Sequence, residues 1–137
     1  MRLDRHAFNN AVLSMAPGFE ARSLAPSTFA DLMRAPGIVW DGASDQTIFA
    51  DARVNHAFRA WHDDHHVKGQ YDFSLTGEIA TMRAQQRAMR EAFPNVPQWA
   101  LDILDAEVRG QAEYFAAHGA FPVDQISFTL NHAGVTL

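Results

Sequence analysis

Apolar residues recur at intervals of three and four along most of this chain, the spacing that lines side chains up on one face of an α-helix. Over residues 2 to 15, Leu3, Ala7, Phe8, Ala11, Val12 and Met15 share a face, and Pro17-Gly18 closes the segment. A second short helix follows Pro26, with Ser27 or Thr28 as its cap and Phe29, Leu32 and Met33 turned inward. Pro36-Gly37 ends it. Longer helices are predicted over 51 to 67, 75 to 93 and 97 to 118. Gly69 separates the first two, Pro94 and Pro97 the last two, and His118-Gly119 ends the third.

Two runs depart from this period. Ile38, Val39 and Trp40 precede a turn-rich stretch, residues 41 to 46, and Thr47, Ile48 and Phe49 follow it, which predicts a small hairpin. Residues 125 to 130 form a third β-type run able to pair with it. The expected fold is mainly α: a helical bundle with a small β-hairpin or three-stranded sheet at one side, as a single domain over 1 to 137.

Composition narrows the classes. A chain of 137 residues hides roughly two-thirds of its unfolded surface, and 47% apolar with 20% charged residues is a globular balance. The lack of cysteine excludes a disulfide scaffold, a thiolate zinc site and a cysteine nucleophile. A net charge of −5 without a basic run argues against general nucleic-acid binding. It suits a protein that binds a basic partner. The start of the chain lacks the apolar run of a signal peptide, and no stretch is long and apolar enough to span a membrane. A cytoplasmic protein is expected.

The chemistry concentrates on the helix over 51 to 67. Val54, Ala57, Phe58 and Trp61 form its apolar stripe, and His65 falls inside it. Asn55, Arg59, His62 and His66 run along one edge at i, i+4, i+7 and i+11. Two imidazoles at i and i+4 can reach one metal ion, and a further carboxylate would complete a three-ligand site with an open position. The same pair could work without metal as acid and base, or serve as satisfied polar groups beside a core. On the next helix Gln86 lies in the apolar face, while Glu78 and Gln85 lie at its edge. Glu78 is placed either to help the helix start or to reach His62 and His66 across the short 67 to 74 connection. On the last long helix Asp105 falls on the apolar side, where Arg59, Arg83, Arg87 or Arg109 could pair with it. Glu107 and His118 on the edge are reserve candidates.

His62-Asp63-Asp64-His65-His66 is similar to the His-Glu-x-x-His of helical zinc proteases, with a shorter aspartate in the place of the general base. His62-Asp63 is also similar to the adjacent pair of the all-helical HD phosphohydrolases, which need an upstream histidine, here His56, and a downstream aspartate, here Asp102 or Asp105. A wider pattern covers residues 38 to 80. It comprises the run from Gly42 through Phe49, then Asn55-His56-Ala57-Phe58-Arg59-Ala60-Trp61-His62-Asp63, then His66, Gly69, Phe73, Gly77 and Glu78. This resembles an uncharacterised family of phages and other mobile elements, and a segment of some large phage polyproteins, with Phe-Arg-Ala-x-His-Asp-x-x-His and a later Gly-Glu. The resemblance implies a mobile-element setting and draws Arg59, His62, Asp63, His66 and Glu78 together, without assigning an activity.

The expectation is a metal-binding, hydrolase-like protein with His62, His66 and Glu78 as ligands, most simply to zinc. Asp63 would orient a ligand, and Arg59 would hold an anionic group of a small substrate. The alternative is a small acidic inhibitor that binds a host defence complex, of the anti-CRISPR or anti-restriction type, with the histidine cluster structural.

Overall fold

The computed structural model describes residues 2–137, of which the helical share of the chain is 61%. Helix α1 (Arg5–Met15) is followed by strand β1 (Glu20–Arg22), helix α2 (Phe29–Arg34) and strand β2 (Ile38–Trp40). Helices α3 (Ala52–Gly69) and α4 (Leu75–Ala92) come next. Helix α5 (Gln98–Asp105) continues through a π-helical segment (Ala106–Gly110) into α6 (Gln111–His118), and α7 (Gln125–Ala133) closes the chain.

Polar residues start these helices. The side chains of Asp4, Thr28, Asp51, Ser74 and Asp124 each accept a hydrogen bond from a backbone N–H of the first turn. Helix α3 runs through Gly69 and stops at Gln70, whose φ of 52° is left-handed. A Cβ at Gly69 would collide with the Tyr71 ring, which folds back over the helix end.

The core is aromatic at its centre. Phe8, Phe49, Phe58 and Trp61 touch in sequence, with ring centroids 6.0, 5.1 and 6.1 Å apart, packed against Met82, Met89, Ile103 and Leu104. Trp61 is 1% exposed, as its place on the apolar stripe predicts. Helices α3 and α4 lie antiparallel, since His62 meets Gln85 while His66 meets Thr81.

The mainly helical fold with a small sheet is as expected, but the strand pairing is not. There is no hairpin over 38 to 49 among the described residues. Strand β2 pairs in parallel with β1, in the register Glu20 to Ile38 and Arg22 to Trp40. Ile48 and Phe49 are fully buried, yet they form a turn. Side chains of α1 take the carbonyls that a partner strand would have bonded: Arg5 Nε donates to Ile48 O and Asn9 Nδ2 to Phe49 O, both at 2.9 Å. Residues 125 to 130 are helical rather than a third strand. The Asp124 cap and the left-handed Gly134 fix both ends of α7. No helix among the described residues is long and apolar enough to cross a membrane.

Candidate metal centre

Antiparallel packing of α3 on α4 sets His62 and His66, one turn apart, opposite Glu78 in the first turn of α4. Glu78 can approach because the preceding turn is tight. A Cβ at Gly77 would collide with the Asp72 carbonyl, so the glycine lets residues 72 to 74 lie against the start of α4.

His62 Nε2 lies 2.9 Å from Glu78 Oε2, His66 Nε2 lies 3.2 Å from the same oxygen, and the two nitrogens are 3.0 Å apart. These three residues are a group of donors near enough to hold one metal ion, their atoms lying within 4.8 Å of one another. Three ligands at roughly 2.1 Å in a tetrahedral arrangement stand about 3.4 Å apart, so the spacing is slightly tight but of the right size.

The hydrogen bonds behind the rings decide which nitrogens face the centre. His66 Nδ1 lies 2.7 Å from the Tyr71 carbonyl, which can only accept, so Nδ1 carries the proton. Thr81 Oγ1 donates to Gly77 O and accepts from the same Nδ1–H at 3.1 Å. His62 Nδ1 donates to Gln85 Oε1 at 2.7 Å. Both Nε2 lone pairs therefore point at each other and at a carboxylate. His66, Thr81 and Gln85 are all fully buried. These partners are the outer ring of hydrogen bonds that orients imidazole ligands in metal sites.

Electrostatics follow from this closure. Burial alone would push the His62 imidazole down, but the Glu78 carboxylate and the Gln85 hydrogen bond outweigh it and hold the ring above its ordinary value. Burial alone would raise Glu78, but its two imidazole partners lower the carboxyl to about 2.

The site opens on a cavity of about 700 Å³, whose lining includes Asn55, Arg59, His62, Glu78, Glu107 and Gln111. Arg59 lines it but is heavily engaged. Its Nη1 donates to the carbonyls of Trp40 and Gly42, its Nη2 to that of Ala43, and its guanidinium lies 5.3 Å from the Trp40 ring centre. Asp63 faces a separate, smaller recess with Leu32, Pro36 and Gly37. Burial pushes its carboxyl up. The bonds that orient the two rings come from Gln85, Thr81 and Tyr71, not from Asp63.

Other candidates lie elsewhere. His65 packs against Trp61 with centroids 6.0 Å apart. His56 meets Asp41 O, and His118 stacks on Tyr114 at the exposed end of α6. Asp105 is paired with Arg109 and His132, and Asp102 accepts from Gln98, so neither supplies the aspartate of an HD phosphohydrolase arrangement. Gln86, expected in the apolar face, is half-buried and donates to Leu101 O. Gln85 and Thr81 were not among the sequence candidates. A buried amide one residue from an apolar position was the available signal for Gln85; Thr81 had none.

Comparison with known proteins returned no matching family model, no matching curated protein and no matching solved structure.

Proposed function

We propose that this chain binds one divalent metal ion through His62 Nε2, His66 Nε2 and Glu78 Oε2, zinc being the ion best suited to two imidazoles and a carboxylate, and uses it in hydrolysis-type chemistry on a small molecule in the adjoining cavity. One observation carries the reading. Both Nδ1 atoms are committed to acceptors, so three lone-pair donors converge with nothing but a shared proton or a cation to reconcile them. A bound ion would keep a position open toward the cavity and lower the pKa of a water there. Arg59 and Asp63 stay attached to the site in this reading: Arg59 holds the 40 to 43 loop that walls the cavity, with its remaining donors available to a substrate, and Asp63 adds negative charge behind the rings. A cytoplasmic setting in a phage or other mobile element goes with it.

Zinc titration of protein purified without a histidine tag tests this. One equivalent should bind, His62→Ala and His66→Ala should each abolish binding, and His6→Ala and His132→Ala should not. Equal uptake by all four variants would overturn the site.

A second reading is favoured by the net charge of −5: an acidic inhibitor of a host defence complex, with the triad a proton-sharing structural cluster. Charge reversal at Asp4, Glu20, Asp31, Asp102 and Glu113 would then weaken binding to a basic partner, and His62→Ala would leave it intact.

A further inference from the structure

Glu107 takes no part in the proposed metal site, yet it lines the same cavity from the π-helical segment. An unbroken helix from Gln98 onward would turn Asp105 toward the core and leave Glu107 at the edge. The wide turn over Ala106–Gly110 shifts that register. Asp105 comes out to pair with Arg109 and His132, and Glu107 comes in. Such π turns are rare and recur at functional positions.

The carboxyl of Glu107 has only neutral partners. Its Oε1 accepts from Thr129 Oγ1 at 2.6 Å and its Oε2 from Gln111 Nε2 at 3.3 Å. Charged groups on the surrounding elements are engaged elsewhere. Asp105, Arg109, Glu113 and His132 bind one another, and Asp102 is held by Gln98. On α4, Glu78 faces the imidazoles, while Arg83, Arg87 and Arg90 are exposed. On α3, Arg59 is bonded to loop carbonyls. Burial is therefore opposed only by the Thr129 hydroxyl, and it pushes the Glu107 carboxyl up to about 7. A glutamine would satisfy Thr129 without that cost, so the fold alone does not ask for an acid here.

The remaining walls indicate what the cavity accepts. Trp40, Phe73, Phe115 and Phe121 line it, each between 38% and 53% exposed. No lysine lines it among the described residues, and its arginine has both Nη1 hydrogens committed.

We propose that Glu107 contacts the substrate, and that the substrate is a neutral molecule with an apolar or aromatic body and a polar group that reaches the metal. This rests on the metal reading above. In its acid form Glu107 donates a hydrogen bond to the bound molecule; as a carboxylate it repels negative charge that gathers at the metal.

Benzohydroxamic acid, an aromatic metal-binding group that turns anionic on the ion, is the probe. Its affinity for cobalt-loaded protein is measured from about pH 6 to about pH 8.5 in the wild type and in Glu107→Gln, with cobalt uptake read separately from the visible spectrum. Glutamine copies the acid form, so the two proteins should bind alike at the acid end. Above neutrality the wild type should weaken relative to Glu107→Gln by about tenfold, the size of one charged contact. Phenylphosphonate should bind less well than benzohydroxamate throughout, and acetohydroxamate should lose the contribution of the rings. A protein that takes up no cobalt overturns both readings. Cobalt uptake with no benzohydroxamate binding, with a preference for phenylphosphonate, or with wild type and Glu107→Gln keeping the same ratio across the range, overturns this one alone.

Discussion

Gln85→Leu separates the metal site from the fold it sits in. Gln85 is fully buried, and its Oε1 is the acceptor that keeps the proton of His62 on Nδ1 and the lone pair on Nε2. Leucine keeps the volume and removes the acceptor. Loss of such an orienting hydrogen bond lowers metal affinity by about 10- to 100-fold, or roughly 1.4 to 2.7 kcal/mol. The effect on folding should be small. The variant strands His62 Nδ1–H in a buried setting, at about 1 to 3 kcal/mol. It also removes Gln85 Nε2, which is itself a buried donor with no partner among the described residues, so the two changes largely offset. Zinc affinity is read by competition with a chromophoric chelator, and stability of the metal-free protein by urea unfolding. Affinity within about twofold of wild type would refute the orienting role. A collapse in stability with unchanged affinity would make Gln85 a packing residue only.

Trp61→Ala should cost about 3 to 5 kcal/mol in urea unfolding, because the ring is 1% exposed at the centre of the core; a loss below about 1 kcal/mol would contradict its packing. Glu107→Gln should stabilise the protein at pH 8 by at most about 3 kcal/mol and leave it unchanged near pH 4. The sign follows from a folded pKa of about 7 against an ordinary 4.5: folding favours the acid form, so stability falls as pH rises through that window, and the glutamine does not titrate. A wild type and variant with parallel pH–stability curves would refute this. Glu78 works in the opposite sense. Its folded value of about 2 lies below the ordinary 4.5, so its contribution is present above about 4.5 and is lost as pH falls toward 2. Glu78→Gln should flatten that acid limb of metal-free unfolding curves. Zinc affinity itself should drop as pH falls through the imidazole range, since protons compete for both Nε2 atoms.

The triad was legible because helical spacing is a rigid rule. His62 and His66 are one turn apart, and a short connection after Gly69 returns the chain beside them with Glu78 in the first turn. The partners that fix the rings were much less visible. A backbone carbonyl such as that of Tyr71 leaves no trace in residue type, and Thr81 reads as an ordinary helical residue. The strand errors share one cause: alternation of apolar residues is a weak sign over three to six positions. Ile48 and Phe49 are buried by α1 side chains that bond their carbonyls, and Ile126, Phe128 and Leu130 alternate inside a helix set by Asp124 and Gly134. The parallel partner of β2, only Glu20–Arg22, has no apolar pattern at all. The π segment escaped for a further reason. It shifts the face of a continuous helix by about one residue, so extrapolation at a constant 100° placed Asp105 inward and Glu107 at the edge.

The most direct test of the central claim is anomalous diffraction at the zinc edge from crystals grown with zinc. The account predicts one peak, at about 2.1 Å from His62 Nε2, His66 Nε2 and Glu78 Oε2, with Tyr71 O and Gln85 Oε1 still behind the rings. A peak away from these three atoms, or none at all with the two imidazoles turned apart, would contradict it.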